Sequence, residues 1–286
     1  MLDGLRDLMR PPAGMAFDFS RPAGEPALTP AGGVSWRVFA NPVSLFVGGV
    51  AAVLLELAEP SVRSGVWEHS GFRHDPVMRL RRTGFAAMMT VYGPRSAAEQ
   101  LIARVVRMHE RVQGTTPDGL AYRANDPRLL DWVHATAAFG FIEAYHRYAV
   151  PLSPAGKDAA FAEGEPAARL YGATGAPASW VAWEALLAAT APKLEGSSIL
   201  AEFLRLMDDA PIVPAPLRPL QRLLVRAAVE ITPEPVRSFP QLRGRGLRPG
   251  EAGVVRALAR GAMLLPLGDT PPVQAARRLA ASIGKK

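Results

Sequence analysis

Cysteine is absent from the 286 residues of this chain. Its absence excludes disulfides, iron–sulfur clusters held by thiolates, thiolate-ligated haem and cysteine nucleophiles. Any metal in this protein must therefore be held by histidine, by a carboxylate or by the nitrogens of a cofactor. Histidine is itself scarce, with five residues in the chain, so the candidates for such a role are few.

Hydrophobic runs long enough to cross a membrane are also missing. The most apolar stretch, residues 42–58, contains two glycines and Glu56 and is shorter than the ~20 residues of a membrane helix. It is predicted to be a buried helix. The N-terminus lacks the apolar core and the small-residue cleavage site of a signal peptide. We therefore expect a cytoplasmic protein with at most peripheral membrane contact.

The net charge of +7 raises the question of an anionic partner. A basic surface can bring a protein reversibly to anionic membranes. No nucleic-acid-binding motif and no interleaved aromatic pattern accompanies the charge, so a nucleic-acid partner is not expected. Most of the surplus lies in residues 237–248 and in Arg277, Arg278, Lys285 and Lys286.

Length and patterning predict an all-α fold. A chain of this size with 49% hydrophobic residues can bury a substantial core. Residues 1–33 are rich in proline and glycine and are predicted to form an extended N-terminal arm, followed by a single helical domain over residues 34–286. No segment alternates polar and apolar residues between hairpin turns, so no sheet is expected.

Capping signals mark the helix boundaries. Asp75, Asp126 and Ser153 each precede a proline, which places a side-chain acceptor at the N-cap and proline at the first helical position. Ser96 and Glu99 form a capping box, and Gly114 in a left-handed conformation is predicted to end that helix. The predicted helices are residues 75–92, 97–113, 126–148, 153–172, 179–187, 198–207, 217–230, 249–262 and 272–283.

The first candidate site residue is His109, which falls within an apolar stripe on the helix predicted at residues 97–113. Its ring nitrogens could be satisfied by a hydrogen bond inside the core. The same surroundings also suit an axial imidazole on haem iron, with Val105 and Val106 forming an apolar wall for the macrocycle. The stripe consists of Leu101, Ile102, Val105, Val106, His109 and Val112.

A second stripe, on the preceding helix, is small and polar. Arg79, Thr83 and Thr90 share one face with Ala86 and Ala87. Small residues allow a flat ligand to approach, Thr83 could hydrogen-bond bound oxygen or a water, and Arg79 could pair with a propionate or polarise oxygen. Ordinary close helix packing beside a surface arginine is the competing interpretation.

The other histidines are weaker candidates. His134 is predicted to lie in the core or to support a residue of the site. His69 is predicted to cap a helix or anchor a loop, and His74 and His146 are predicted to face solvent. Glu143 and His146 match the E-x-x-H pattern of helical di-iron sites once, but the second copy is missing, so such a site is not expected. Zinc-protease, Walker, nucleophile-elbow and dinucleotide-binding motifs are absent.

Five linked segments resemble the bacterial oxygenase MpaB family. They follow each other in the family's order and spacing. The resemblance is close over residues 34–150 and looser over residues 151–286. The segments are V-R-S-G-V-W-E-H-S-G-F-R at 62–73, D-P-V-M-R-L-R-R-T at 75–83, R-M-H-E-R-V-Q-G at 107–114, D-G-L-A-Y-R-A-N-D-P at 118–127 and L-L-D-W-V-H-A-T at 129–136.

This family is related to latex clearing proteins, which are haem-b dioxygenases that cleave isoprenoid double bonds in a globin-like helical core. The resemblance implies a haem-b-dependent oxygenase with His109 as axial iron ligand. Arg79 and Thr83 match the R-x-x-x-T spacing of the active site, and O2 and an apolar small molecule, for instance an isoprenoid, are the implied substrates.

One departure from the family puts the activity in question, because Glu59-Pro60 stands where many relatives have His-Pro. Two other interpretations therefore stay open. One is a haem- or small-ligand-binding helical protein without turnover. The other is a helical module that docks on acidic partners through its basic C-terminal half.

Overall fold

The computed structural model describes residues 15–264 and 268–281. Its regular secondary structure consists almost entirely of α-helices. The prediction of an all-α domain is confirmed, apart from one short antiparallel hairpin of β1 (Gln113–Thr115) and β2 (Ala121–Arg123). The helices are α1 (Val34–Phe39), α2 (Pro42–Ala58), α3 (Pro60–His69), α4 (Pro76–Tyr92), α5 (Arg95–His109), α6 (Pro127–Ala144), α7 (Pro154–Tyr171), α8 (Trp180–Thr190), α9 (Ser198–Asp209), α10 (Arg218–Ile231), α11 (Glu234–Arg237), α12 (Glu251–Leu264) and α13 (Pro271–Ala280). Short 3-10 turns lie at Gly71–Arg73, Ala191–Lys193 and Ala215–Leu217, and α6 continues into a π-helical turn at Tyr145–Ala149.

The predicted side-chain caps form at the starts of α4, α6, α7 and α8. Asp75 accepts a hydrogen bond from the backbone N–H of Met78, and Asp126, Ser153 and Ser179 cap their helices in the same way. A left-handed glycine, Gly172, ends α7 with φ of 94°. Local capping chemistry therefore decides these boundaries.

The predicted ends of α5 are wrong at both termini. No neighbouring side chain caps its start; instead the backbone N–H of Ser96 donates to Oε1 of the distant Glu25 at 2.6 Å. The helix ends at His109, and Gly114 lies in β1 without a left-handed conformation. A Cβ on Gly114 would lie 2.8 Å from the hydroxyl oxygen of Tyr122. This glycine therefore permits close packing inside the hairpin and does not end the helix.

The centre of the fold is the crossing of α2 and α6. A Cβ on Gly48 would lie 2.7 Å from the carbonyl oxygen of Gly140, and a Cβ on Gly140 would collide with the carbonyl oxygen of Gly48. The two backbones are thus in direct contact. Because Trp132 Nε1, near the start of α6, donates to the carbonyl of Leu55, near the end of α2, the helices run antiparallel.

Helix α2 is mostly buried, as predicted for residues 42–58. Within residues 15–264 and 268–281, no single helix is long and apolar enough to span a membrane. Only α2 and α3 taken together reach that length and composition, and they meet at an angle of 113°.

The segment 15–33 contains no helix or strand and lies against α4 and α13. Phe19 is buried, with its ring centre 6.3 Å from that of Phe85 in α4. The guanidinium of Arg278 in α13 donates to the carbonyls of Phe19 and Glu25 at 2.7 and 2.8 Å. These contacts tie the two ends of the described chain together.

Arg278 is therefore fully buried and not part of an exposed basic end. Arg277 forms an ion pair with Asp269 at 2.8 Å. Residues 1–14, residues 265–267 and residues 282–286, which include Lys285, Lys286 and the predicted end of the last helix at Ile283, lie outside the described residues.

Candidate functional site

A cavity of about 380 Å³ lies between α2, α4, α6 and α7. This volume is within the range of roughly 300–1,000 Å³ that is usual for small-molecule sites. Most of the side chains that line it are apolar. The exceptions with titratable groups are Glu56, Arg79, His109, His134 and Tyr171.

The charged groups and His109 gather toward one end of the cavity. Helix α4 runs antiparallel to α2, because Tyr92 at its end donates to the carbonyl of Trp36 in α1 at 2.6 Å, just before α2 begins. The start of α4, with Arg79 and Thr83, therefore lies beside the end of α2, with Glu56. His109 joins them from the end of α5.

His109 lines the cavity as the last residue of α5. Its Nδ1 atom is buried and has no hydrogen-bond partner among the described residues. Burial, and next the positive charge of Arg79, lower the pKa of His109 below its ordinary value. The ring is therefore neutral at physiological pH, and the core hydrogen bond considered above is not formed at Nδ1.

Arg79 and Thr83 share one face of α4 and contact each other. Arg79 Nη1 donates to the hydroxyl of Thr83, which in turn donates to the carbonyl of Arg79 at 2.9 Å. The guanidinium also lies 5.2 Å from the ring centre of Phe72. Arg79 is therefore an inward-facing arginine, and burial lowers its pKa.

Glu56 is the site residue that sequence reasoning missed. Its carboxyl lies in the cavity, where burial raises its pKa to about 7 against the opposing effect of Arg79. The signal was visible, because Glu56 is the one acid in the apolar stretch 42–58. A charge placed in such a stretch needs a partner in the fold, and the positive charge of Arg79 acts on Glu56 electrostatically without offsetting its burial.

His134 is a second imidazole in the cavity wall. Burial lowers its pKa to about 4, so the ring is neutral. Across the described part of the chain, no hydrogen bond reaches its ring nitrogens. The position lies in α6, about two turns from the start of the helix at Pro127, on the same side as Leu130 and Ala138.

Val105 and Val106 are not among the described residues that line the cavity. Val106 packs instead in a small cluster with Leu28 of the N-terminal segment, Ile102 and Ala167. The apolar wall beside His109 comes from α2, α4 and α6. The helical period correctly grouped the stripe residues, but that face turns mainly toward the N-terminal segment and α7.

Glu59, which stands where the resemblance implied a histidine, also lies outside this lining. Its carboxylate is buried, where Oε2 accepts from the backbone N–H of Val62 at 2.7 Å and Oε1 accepts from Arg128 at 3.3 Å. It therefore caps α3 and fixes α6 beside it. His69 also has a structural contact, with Nε2 at 3.3 Å from the hydroxyl of Tyr122 in the hairpin.

The E-x-x-H pair does not build a metal site. Glu143 forms ion pairs with Arg147 at 2.8 Å and Lys157 at 3.1 Å. His146 is half-buried rather than solvent-facing, and its Nδ1 accepts from the backbone N–H of Leu152 at 2.9 Å. In the ranges that the structure describes, no three His, Asp or Glu side chains are grouped to hold a metal ion.

The donor set at the polar end fits haem better than a bare metal ion. A haem iron brings its ring nitrogens and needs one imidazole from the protein, with apolar walls around the macrocycle. His109 offers a neutral ring with an unpartnered buried nitrogen. Arg79 offers a cation with which a propionate could pair, and the lining is mostly apolar.

Part of the basic charge in the C-terminal half is neutralised by ion pairs. Arg226 forms a pair with Glu251 at 2.6 Å, and Arg222 forms one with Asp209 at 3.1 Å. Arg237 pairs with Glu234 at 2.6 Å. These pairs weaken the interpretation of this half as a docking module for acidic partners.

Comparisons with known proteins agree with the family resemblance. The family described as "ER-bound oxygenase mpaB/B'/Rubber oxygenase, catalytic domain" matches residues 36–263. The uncharacterized proteins Mb2261 of Mycobacterium bovis and Rv2237 of Mycobacterium tuberculosis are each 32% identical over 116 residues, which is 39% of this chain and 45% of each relative. The chain thus matches less than half the length of these relatives, and no solved structure matches it.

The family match covers α1 to α12, and so includes every helix that lines the cavity. Because the family match extends over residues 36–263, the chain belongs to the mpaB/rubber oxygenase catalytic-domain family.

Proposed function

We propose that this protein is a haem-b-dependent oxygenase that uses O2 on an apolar small molecule, for instance an isoprenoid, with His109 as the axial iron ligand. The observation that carries this proposal is the neutral imidazole of His109 in an apolar cavity, where its buried Nδ1 has no hydrogen-bond partner within residues 15–264 and 268–281. Bound haem would supply the iron that activates O2. The chain itself supplies binding, orientation and electrostatics.

Each polar residue at this end of the cavity has a distinct role in the proposal. Thr83 presents a hydroxyl held in place by Arg79. Arg79 places a fixed positive charge in a mostly apolar site, where it acts more strongly than in water. Glu56, with a pKa of about 7, holds or releases a proton at its carboxyl near neutral pH.

The apolar lining has two effects on this chemistry. It binds an apolar substrate through burial of hydrocarbon surface, and it strengthens the electrostatic effect of the charged groups beside it. A cytoplasmic location with at most peripheral membrane contact is part of the proposal. No nucleic-acid partner is proposed.

The first test is haem binding by His109→Ala. We expect wild-type protein from cells supplied with iron and a haem precursor to carry stoichiometric haem, with a Soret band. His109→Ala is expected to lose that haem while it keeps its helical circular dichroism. His74→Ala, at an exposed residue, serves as the matched control and should bind haem normally.

Rescue by free imidazole separates ligation from folding. His109→Gly should regain the Soret band when imidazole is added, because the small molecule can occupy the space left by the side chain. Equal haem content in wild type and His109→Ala would remove His109 from the ligand role. Loss of helical structure in both variants would assign His109 to the core instead.

The second test concerns Thr83 and Arg79. With squalene as an apolar alkene probe, Thr83→Val and Arg79→Gln are each expected to slow turnover by roughly a hundredfold, the usual cost of removing one donor from a charge-stabilising site. Haem occupancy should fall far less than turnover. Arg104→Gln, on the exposed side of α5, is the control. Unchanged rates in both site variants would disprove these roles.

The competing function is haem or ligand binding without turnover. It is supported by His134, a second neutral imidazole in the wall of the same cavity. Two imidazoles in one apolar cavity also suit a non-catalytic haem carrier. Product formation from the apolar probe under O2 distinguishes the two functions. Haem binding without any product would favour the carrier.

A further inference from the structure

The end of helix α5 presents a basic surface to solvent. Arg107 and Met108 are exposed there, and Met108 keeps 58% of its surface accessible. The chain continues in a helical turn beyond α5, because the backbone N–H of Arg111 donates to the carbonyl of Met108 at 3.2 Å. Residues three and four apart share one face of a helix. Two exposed arginines, Arg107 and Arg111, therefore flank an exposed methionine.

The hairpin and α4 extend this surface on either side. Arg123 is exposed in β2 beside the first residue of β1, two residues after Arg111. The start of α4 lies next to the end of α5, because Arg79 acts electrostatically on His109. Arg82 is exposed in α4 and acts electrostatically on Arg79, so it borders the same surface. We call this surface the arginine face, which consists of Arg82, Arg107, Met108, Arg111 and Arg123.

The four arginines of this face have no partners within residues 15–264 and 268–281. None of them forms a hydrogen bond, an ion pair or a ring contact there. Residues 101–125 contain four arginines against two acids, Glu110 and Asp118, and Arg82 adds a further positive charge. Three arginines of α10 and α11, in contrast, are paired with acids. The arginine face therefore keeps a positive charge that an anionic partner can neutralise.

The chemistry of the arginine face fits a membrane that carries phosphate headgroups. A guanidinium group binds phosphate oxygens through two parallel hydrogen bonds, and basic residues near an anionic bilayer are attracted to its surface. Met108 offers no charge to an acidic protein. An apolar side chain flanked by basic ones can instead enter the boundary between headgroups and acyl chains.

The arginine face lies directly outside the polar end of the cavity. Met108 is exposed, and the next residue, His109, lines the cavity. In the same way, Arg82 precedes Thr83, another lining residue. A membrane at this face would lie against the end of the protein where the charged groups gather. An apolar substrate dissolves in a bilayer, and this last argument alone rests on the proposed function.

We propose that the arginine face binds anionic phospholipid membranes, with its arginines on the headgroup phosphates and Met108 in the boundary between headgroups and acyl chains. The inference goes beyond the proposed function, because it names the surface and the lipid charge and needs no haem. It also places membrane contact in the middle of the chain and not in residues 237–248, where much of the surplus charge of the sequence lies.

The test is co-sedimentation of the full chain with lipid vesicles in about 0.1 M salt, where the Debye length is about 10 Å. Wild type is expected to bind vesicles of phosphatidylcholine with about one third phosphatidylglycerol, and not vesicles of phosphatidylcholine alone. The double variant Arg107→Gln/Arg111→Gln should bind the anionic vesicles roughly thirtyfold more weakly, the effect of two basic residues near such a surface.

Arg256→Gln/Arg260→Gln is the matched control, with the same loss of charge from two exposed residues of α12. Both side chains donate to carbonyls of the π-helical turn that follows the end of α6. The arginine face lies at the other end of α6, because Asn125, just before α6, donates to the carbonyl of Val106 in α5. The 18 residues of α6 span about 27 Å, so the control should bind within about twofold of wild type.

Met108→Ser tests the apolar contact without a change of charge. It should weaken binding to the anionic vesicles by roughly fivefold, because a partly buried hydrocarbon side chain is lost. The dependence of binding on salt should stay that of wild type. If Arg107→Gln/Arg111→Gln fails to fold, Arg111→Gln/Arg123→Gln takes its place and should show the same loss.

Three results would overturn the proposal. They are equal binding of the two double variants, equal binding of wild type to neutral and anionic vesicles, and a preference for poly-glutamate over the anionic vesicles, which would assign the face to an acidic protein. Haem content is measured in the same samples. Vesicle binding by protein without haem would count against the proposed function alone, and haem-loaded protein that does not bind anionic vesicles would count against the arginine face alone.

Discussion

Gly48→Ala is expected to destabilise the protein by about 3 kcal/mol or more, the upper part of the range for overpacking a tight core. The new Cβ would lie 2.7 Å from the carbonyl oxygen of Gly140 and 2.8 Å from the Cα of Phe141. These are backbone atoms, which cannot move aside as a flexible side chain can. The two central helices would have to separate, and urea denaturation followed by circular dichroism measures the loss.

Gly49→Ala provides the internal comparison, one residue along the same helix. Its Cβ would make an ordinary contact of 3.8 Å with Phe141, so no steric cost arises. Alanine is favoured over glycine inside a helix by up to about 1 kcal/mol, and a gain of this size is expected. Equal changes in stability for the two variants would contradict the close crossing at Gly48.

Glu56→Gln is expected to change how stability depends on pH, by up to about 3 kcal/mol. The pKa of Glu56 rises from an ordinary 4.5 to about 7 in the fold. A raised carboxyl pKa contributes stability that is fully present below 4.5 and is lost as the pH rises through 7. Glutamine stays neutral, so the variant keeps its stability where wild type loses it. Each pKa unit corresponds to about 1.4 kcal/mol.

In wild type, His134 changes the free energy of unfolding with pH in the opposite direction to Glu56. Its pKa falls from 6.5 to about 4 on burial, so protonation costs stability as the pH is lowered from 6.5 toward 4. Between pH 4.5 and 6.5 the slopes of Glu56 and His134 therefore run in opposite directions. The wild-type profile should be flatter there than that of Glu56→Gln, which retains the His134 slope.

The measurement is the free energy of unfolding of wild type and Glu56→Gln in urea, across a series of pH values. The difference between the two should grow steadily from about pH 4.5 to about pH 7 and then level off. His74→Gln, at an exposed residue, is the control and should follow wild type. A constant difference at all pH values would show that Glu56 does not titrate in the fold.

Local sequence determined most of the helices. Side-chain caps at Asp75, Asp126, Ser153 and Ser179 predicted where helices begin, because these contacts join residues only two or three apart. The ends of α5 were mispredicted because distant residues act there. Glu25 binds the backbone at its start, and the hairpin with Tyr122 follows its end.

The candidate site was predicted in part. Arg79, Thr83 and His109 were singled out from the sequence, and the structure brings all three to one end of a cavity. Helical spacing assigned Val105 and Val106 to the stripe of His109 but could not say which neighbour that stripe faces. Such a choice depends on how helices pack against each other, and periodicity within one helix carries no information about it.

The sequence by itself was enough to predict the helical fold, the family and His109 as a candidate site residue, because each of these depends on local patterns along the chain. Tertiary structure alone decided that Glu56 faces Arg79, that Gly48 contacts another backbone and that Gly49 faces open space. Two adjacent glycines are equivalent in composition and propensity. They differ only because successive helical residues point about 100° apart, toward α6 in one case and toward the cavity in the other.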